Sequence, residues 1–449
     1  MTVDAETPMV PGSMARVFDF GDLSRLWLLL TLLGLRGMTI VAKFLLALYT
    51  ARYLGLADLG IYGLVVGATL LMPAIFGFGL NDWMLHYLVG KSRSEFVPRA
   101  ITRLAFTVCV HLIVQPAGWA INAAFGSPIP FSLALPIAII LLLEHLTVDA
   151  SDLLIARGRA LLANLNGFFR GGLWPLLAIA VGFIDVRMQT IGWVLAVWAG
   201  VLVLMWVMLG VQILMQGRWR HAGLRPHWIS QGVRESRHYY VKDISNVISL
   251  TADRFLISIF LGLELTGVHT FLWSMANVMQ GLVVFGTVQP HVPKLVEANV
   301  RSRAEFHALE RRLIFETLAW TAVIAAAISI VTPFLLPYLH RPLLEANLPV
   351  FWLIVAATVV RVGSDSYTFV LVALRLDRAT AAISVAGAMG SAALNVLLLP
   401  LLGLYGAAIA YLVSASGLLA ARFIVSRVRP EIANAVKTSC DLKPGRVER

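Results

Sequence analysis

The sequence predicts an all-α membrane protein in which 12 transmembrane helices form two six-helix lobes related by an internal repeat. Hydrophobic residues make up 59% of the 449 positions and charged residues only 14%, with a mean hydropathy of +0.80. This composition lies outside the range of soluble domains. The apolar residues fall into twelve runs, each about as long as a bilayer-spanning helix. In addition, a glycine pattern recurs at an offset of about half the chain.

The apolar runs divide evenly into two sets of six. In chain order they are 26–49, 60–80, 104–125, 131–153, 161–183, 190–213, 244–263, 267–288, 313–336, 350–372, 379–401 and 404–426. They predict five segments: a cytoplasmic N-terminal segment (1–25), an N-lobe (26–215), a basic cytoplasmic linker (216–243), a C-lobe (244–428) and a cytoplasmic tail (429–449).

The repeat is most visible at the elbow after the first run, where two glycines flank a short polar stretch. Matching positions lie 207 residues apart: Tyr53-Leu54-Gly55-Leu56 with Phe260-Leu261-Gly262-Leu263, Gly60-Ile61 with Gly267-Val268, and Phe78-Gly79 with Phe285-Gly286. A fixed offset indicates two related halves. Repeats of this kind are common in transporters, where the substrate site lies at the repeat interface near the bilayer midplane.

The cations are distributed unevenly between the two ends of the runs. With a cytoplasmic N-terminus, 28 of the 36 Lys and Arg residues lie on the cytoplasmic side and 3 on the outer side, and the other 5 lie inside runs. Basic loops mark the cytoplasmic side of membrane proteins, so both termini are predicted to be cytoplasmic. The charge of +11 is therefore assigned to topology and to contact with anionic membrane lipids, and nucleic acid is excluded as a partner.

Five cations inside the runs are the candidate substrate-binding residues: Arg36, Lys43, Arg170, Arg254 and Arg361. The four arginines lie near the centres of their runs, where facing lipid costs about 2.5–3.5 kcal/mol each. They are therefore expected to line a shared polar interior. One guanidinium group can form two parallel hydrogen bonds to the oxygens of a phosphate, so an anionic substrate is predicted. The alternative is helix-fastening ion pairs, such as Arg361 with an acid four residues later.

Acidic and histidine side chains inside the runs are candidates for ion coupling. His145, Asp149 and Asp152 share one face of the fourth run, where a His/Asp stripe can relay protons or hold a cation. For Asp152 we favour solvation at the cytoplasmic end, and for His111 a satisfied interior histidine. The ion-coupling candidates are Glu144, His145, Asp149, Asp253 and Asp365, with H+ or Na+ as the ion.

The sequence contains no nucleophile motif, phosphate-binding glycine loop or metal-ligand spacing, and its two cysteines offer no metal site. No catalytic residue, metal or cofactor is predicted. Gly171-Gly172 before Pro175 predicts a bend in the fifth helix.

Three stretches resemble the polysaccharide flippases, the O-antigen and exopolysaccharide exporters of the multidrug/oligosaccharidyl-lipid/polysaccharide superfamily. They are ARYLGLADLGIYGLV from Ala51, DRFLISIFLGLELTGVHTF from Asp253 and NVLLLPLLGLYGAAIAYLVS from Asn395. The resemblance implies two lobes in a V around a cationic cavity that opens alternately to each side of a bacterial inner membrane. It also implies an undecaprenyl-diphosphate-linked oligosaccharide as substrate, with the polysaccharide polymerase machinery as a candidate partner.

Two other functions compete with a flippase. A multidrug antiporter of the same superfamily usually carries organic cations, which an arginine-lined cavity repels. A membrane polysaccharide polymerase or glycosyltransferase is expected to have a long outer loop with Arg and His, and the outer loops here are short.

Overall fold

The computed structural model describes residues 23–126, 128–215 and 223–441. Within these ranges the regular secondary structure is helical, and 12 helices are long and apolar enough to cross a membrane. The predicted fold class is thereby confirmed. Most of the predicted N-terminal segment lies outside the described residues, as do 216–222 of the predicted linker and 442–449 of the predicted tail.

We number the spanning helices α1 to α12 and name shorter helices by their residues. Three spanning helices contain a π-helical turn, and one of these, in α5, lies at the predicted Gly171-Gly172 bend. The bounds are α1, Leu23–Tyr49 with Thr50–Leu54; α2, Leu56–Phe76; α3, Arg93–Ala124; α4, Ala134–Ala156; α5, Ala160–Phe168, Phe169–Leu173 and Trp174–Ile184; α6, Ile191–Met215; α7, Arg237–Leu261; α8, Leu263–Val283, Val284–Val288 and Gln289–Arg301; α9, Arg303–Leu339; α10, Leu348–Ala373; α11, Asp377–Leu402; α12, Leu404–Asp441. The short helices are Leu80–Leu88, Pro226–Glu235 and Pro342–Ala346.

The two halves of the chain pack in the same way. In the first half α1 packs on α5, α2 on α4, α4 on α6 and α5 on α6. In the second half the corresponding pairs are α7 with α11, α8 with α10, α10 with α12 and α11 with α12. The halves meet where α2 lies against α7 and α8, and where α1 lies against α8. The predicted arrangement of two six-helix lobes related by a repeat is confirmed.

The elbow glycines form the contact between the lobes. Gly55 and Gly262 precede α2 and α8 and have φ values of 124° and 85°, a region that favours glycine. One turn further, a Cβ on Gly60 would overlap the Leu263 carbonyl oxygen. A Cβ on Gly267 would overlap the carbonyl oxygen of Leu56, the position equivalent to Leu263. The contact is reciprocal, so a pseudo-two-fold axis passes between these two helices.

The halves differ at the third matching motif. After α2 the chain leaves the helix through Phe78 and Gly79, both with positive φ, and then forms Leu80–Leu88. In the second half the π-helical turn Val284–Val288 stands at this point, and the helix continues to Arg301. The first turn is fixed by the chain before α7, because the Ser236 hydroxyl donates to the Phe78 carbonyl at 2.6 Å.

Alternate connections between the spanning helices lie on opposite faces of the molecule. We call the face that carries residues 50–55, 128–130, 185–190 and 340–347 the elbow face, and the opposite face, with 77–92, 157–159 and 223–236, the basic face. On the basic face Pro226–Glu235 packs against Leu80–Leu88, where the rings of Trp83 and Trp228 lie 5.1 Å apart. Helix α7 begins at Arg237, whereas the predicted apolar run begins at 244.

Candidate functional site

Helix α1 has two exposed faces of opposite character. Met38, Val41 and Leu45 are 50%, 54% and 40% exposed and lie on one side, as a helix of 3.6 residues per turn requires. This apolar side faces lipid. Arg36 and Lys43 lie on the opposite side, half-buried and exposed, respectively. Because Lys43 points away from the lipid-facing side and is still exposed, it lines an opening inside the protein.

This opening lies between the two lobes. From α1, Arg36 Nε donates to Asn164 Oδ1 of α5 at 3.2 Å, and its Nη1 reaches Gln289 Oε1 of α8 at 3.5 Å. Lys43 lies against the π-helical turn of α5, where a Cβ on Gly171 would be 3.3 Å from Lys43 Cε. The cationic side of α1 is therefore bounded by one helix of each lobe, at the repeat interface.

Arg170 adds a third cation to this cluster and brings one carboxylate with it. It forms an ion pair with Glu144 of α4, and its side chain remains 28% exposed. Glu144 also accepts a hydrogen bond from Trp198 Nε1 at 2.9 Å, and the Trp198 ring stacks on Trp174 at 4.4 Å. Lys43 interacts electrostatically with both members of the pair. Arg36, Lys43 and Arg170 thus form an interior cluster, in which Glu144 interacts with Arg170 and Lys43.

Arg254 is a buried arginine that interacts electrostatically with Asp253 but forms no direct ion pair among the described residues. Its guanidinium stacks over the Trp273 ring at 4.1 Å, and no described side chain bonds to it or forms an ion pair with it. Tyr62 of α2 interacts electrostatically with both Arg254 and Glu144, so the two lobes approach each other here. A desolvated cation held by a ring face keeps its N–H donors available for an anion.

Arg361, by contrast, forms an ion pair with an acid inside the C-lobe. It donates to Asp365 at 3.1 Å and to Ser249 of α7 at 3.1 Å. Asp365 also accepts from Arg422 of α12 at 3.0 Å and from Gln280 of α8 at 2.9 Å. The carboxylate thus ties together α8, α10 and α12, and the sequence alternative of an Arg361–Asp365 pair describes the contact observed.

Asp253 has a different partner from the neighbouring arginine. Its Oδ2 lies 2.9 Å from His269 Nε2 of α8, and its Oδ1 accepts the backbone N–H of Arg254. The side chain is 18% exposed. An acid and an imidazole in contact can share a proton, so the pair remains a candidate for ion coupling.

A buried polar network fills the centre of the N-lobe. Asp149 accepts from Arg103 Nη2 at 2.8 Å and from the Thr107 hydroxyl at 2.6 Å. Arg103 also donates to Asn81 at 2.9 Å, and Asn81 donates to Asp152 at 2.8 Å. Asp152 is thus hydrogen-bonded and half-buried, where we expected it to be solvated. Residues of α3, α4 and the turn after α2 are joined by this network.

Two histidines extend the network along α3 and α4. Gln115 Nε2 donates to the carbonyl of Ala138 and lies 3.0 Å from His111 Nδ1, which therefore accepts. The proton of His111 is then on Nε2, which donates to His145 Nδ1 at 3.1 Å. His145 Nε2 lies 3.5 Å from Arg103 Nη2 and 4.0 Å from Asp149 Oδ1. Both imidazoles are neutral in this pattern, and His111 is satisfied as expected.

Two buried interior arginines were missed from the sequence because they were counted as cytoplasmic cations. Arg103 and Arg422 are 0% and 3% exposed and lie within α3 and α12. A signal for Arg103 was available: it recurs with Thr107, His111 and Gln115 at intervals of four residues, which is a polar stripe on one helix face.

No protein-family model matches the sequence, and no curated protein matches it. Solved structures match over almost the whole chain. The lipid II flippase MurJ in an inward closed conformation has a TM-score of 0.68 at 10% identity, covering 93% of this chain and 94% of that one. A MATE protein in complex with MaL6 has a TM-score of 0.59 at 13% identity, covering 92% of this chain and 98% of that one.

A third match is the outward-facing conformation of a multidrug resistance MATE family transporter of the MOP superfamily. Its TM-score is 0.56 at 13% identity, covering 93% of this chain and 98% of that one. At such identities the likeness concerns the fold. This chain therefore has the fold of a multi-pass membrane protein class whose known members include transporters and a flippase.

Proposed function

We propose that this protein is a flippase that moves undecaprenyl-diphosphate-linked oligosaccharide repeat units from the cytoplasmic to the outer leaflet of a bacterial inner membrane. The observation that carries the proposal is the exposed cationic side of α1, Arg36 with Lys43, which faces away from lipid and toward the interface of the lobes. Arg170 lies beside it in an ion pair with Glu144, and Lys43 interacts electrostatically with both members of that pair. An interior of this charge suits a diphosphate.

Each cation has a defined part in this proposal. Arg36, Lys43 and Arg170 hold the diphosphate from the N-lobe, and Arg254 approaches it from the C-lobe with its unpaired guanidinium. Arg361 serves to position α10, because its donors already bind Asp365 and Ser249. The sugars cross in the hydrated interior, while the isoprenoid stays in lipid between the lobes.

Charge also provides a reason for alternating access. Without substrate, the interior cations repel one another when the lobes close. A bound diphosphate removes this repulsion, so the loaded protein closes and reopens on the other side. We place the elbow face outside and both termini in the cytoplasm, following the basic connections of the opposite face. H+ or Na+ acting on Glu144, His145, Asp149, Asp253 or Asp365 is the proposed coupling.

The test is flipping by the purified protein in proteoliposomes, with a fluorescent undecaprenyl-diphosphate oligosaccharide and a quencher added outside. Lys43→Gln and Arg254→Gln should each lower the initial rate about 10- to 100-fold, because each removes a charge-assisted contact of about 1.5–3 kcal/mol. The matched control is Arg301→Gln, a cation 62% exposed on the basic face, which should flip normally.

Equal flipping rates in all variants would leave the flippase activity supported but would exclude Lys43 and Arg254 as the groups that bind the substrate. No flipping by the wild-type protein would contradict the proposal. The second candidate is a multidrug antiporter, which is supported by the fold likeness to MATE transporters and by the partly exposed Asp253 and Asp365. If the same proteoliposomes took up ethidium in response to a pH or Na+ gradient but did not flip the lipid, the protein would be assigned as a multidrug antiporter.

A further inference from the structure

A second cationic cluster lies on the elbow face, apart from the interior cluster. A pocket of about 460 Å³ is lined by Arg52 and Tyr53 at the end of α1 and by Leu339, His340 and Arg341 after α9. Both lobes therefore contribute to it. Among the described residues that line it none is acidic, so the lining itself does not balance its charge.

These cations lie on the face where the chain has few Lys and Arg residues. Only three Lys or Arg residues fall in the predicted connections of this face: Arg52, Arg187 and Arg341. Two of the three, from opposite halves of the sequence, line the same pocket. Basic residues on the outer side oppose correct membrane insertion. The presence of two arginines in one pocket on that side is therefore explained best by a ligand or a contact that requires them.

Arg341 is held in a fixed orientation at the edge of the pocket. Its Nε donates to the carbonyl of Ala51 at 2.8 Å and its Nη2 to the carbonyl of Arg52 at 3.1 Å, both within the π-helical turn Thr50–Leu54. A guanidinium has five N–H donors. These bonds use two of them, and the described residues accept none of the other three. The group is thus anchored on one edge and open on the other.

His340 is placed in a conflict that an anion would relieve. Its φ of 54° is the left-handed conformation that ends α9. Its Nδ1 lies 3.2 Å from Arg52 Nη1, which can only donate, and 3.1 Å from the Tyr338 carbonyl, which can only accept. One nitrogen cannot satisfy both. An acceptor that draws Arg52 away lets His340 donate to the carbonyl.

We infer that this elbow-face pocket is a binding site for a phosphate or diphosphate anion, held by Arg52, Arg341 and His340. The two arginines offer donors from two directions, as bound diphosphates require. The site stands on its own geometry. Its role in transport rests on the proposed function: it would receive the diphosphate as the substrate leaves the interior.

The experiment is calorimetric titration of inorganic pyrophosphate into the full chain in phosphatidylcholine nanodiscs. Arg52→Gln and Arg341→Gln should each weaken one binding phase at least tenfold. Arg187→Gln is the matched control, since it removes the same charge from the same face outside the pocket, and it should leave binding unchanged. The interior variant Lys43→Gln should retain this phase, which separates the pocket from the flippase site.

Arg341→Gln removes two interlobe hydrogen bonds, so its thermal stability must be measured beside the wild type. Arg52 is exposed, and its guanidinium contacts His340 and the Tyr53 ring, so Arg52→Gln should fold normally. This variant therefore tests the site even if Arg341→Gln unfolds. Unchanged pyrophosphate binding in a folded Arg52→Gln protein would overturn the proposal. A second titration in nanodiscs with phosphatidylglycerol identifies the source: loss of the pocket phase there assigns a lipid headgroup, and retention assigns a free or substrate diphosphate.

Discussion

At the scale of single residues, buried arginines in this molecule have different surroundings that define different roles. Arg103 is completely buried and pairs with Asp149. Arg422 shares Asp365 with Arg361 in the C-lobe. Arg254 stacks on an aromatic ring and forms no direct ion pair with a described acid. A paired arginine fastens helices, whereas an unpaired one is available to a ligand, so Arg254 is the buried arginine on which the proposed function depends.

Arg103→Gln should lower the free energy of unfolding by about 3–5 kcal/mol, because it leaves the carboxylate of Asp149 buried without its cation. Thermal denaturation in detergent measures the loss. Arg99→Gln, one turn earlier on the same helix and in a partly exposed ion pair with Glu95, should change stability much less, by about 1 kcal/mol.

The double variant Arg103→Gln/Asp149→Asn separates a structural pair from independent roles. Because the two side chains are in direct contact, their effects should not add, and the double variant should be less destabilised than the sum of the single variants. Simple additivity would show that the ion pair contributes little to the stability of the N-lobe.

At the scale of elements, the contact between α2 and α8 depends on two glycines that the repeat predicted as equivalent. Neither position has room for a side chain, because the backbone of the opposing helix occupies the space where Cβ would lie. The helices therefore cross at their closest around the pseudo-two-fold axis. Close approach of this kind is the usual basis for helix association in membranes.

Gly267→Ala should reduce stability by about 1–3 kcal/mol, since the added methyl group must push α8 away from the Leu56 carbonyl. Gly200→Ala in α6 is the matched control, because nothing lies within 4 Å of its added Cβ. That variant should be neutral or gain up to about 1 kcal/mol from helix propensity. If both variants melted at the same temperature, the close crossing would not be the contact that joins the lobes.

At the scale of the whole molecule, the elbow face is closed in this structure. The Gly60–Gly267 crossing lies near it, and Arg341 of the C-lobe binds two carbonyls of α1 in the N-lobe. An exit to this face requires these interlobe hydrogen bonds to break. Under the proposed orientation this face is the outer one, and the elbow-face pocket lies beside the contact that must open.

The orientation can be measured with single cysteines in a variant whose native Cys109 and Cys440 are replaced by alanine. Val186→Cys, 72% exposed on the elbow face, should react with a membrane-impermeant maleimide in intact cells. Ser302→Cys, exposed between α8 and α9 on the basic face, should react only after permeabilisation. Neither change alters charge, so the basic connections that set the topology are kept. The opposite labelling pattern would invert the proposed direction of transport.

The sequence by itself determined the fold class, the twelve helices and the repeat. Apolar length and glycine spacing are local signals, and a bilayer requires each spanning segment to satisfy its own backbone hydrogen bonds. The same reasoning predicted Arg36, Lys43, Arg170, Arg254 and Arg361 as a polar interior set, because an isolated cation in lipid is costly. Their roles in binding remain predictions.

Only the tertiary structure decided which cations have partners. Asp365 recruits Arg422 from 57 positions away, and Arg103 reaches Asp149 across 46. Sequence spacing reveals partners along one helix, such as Arg361 with Asp365, but a pair between helices depends on how the helices are arranged. For the same reason, the meeting of Arg52 and Arg341 became visible only in the packed structure, where the two lobes bring the ends of α1 and α9 together.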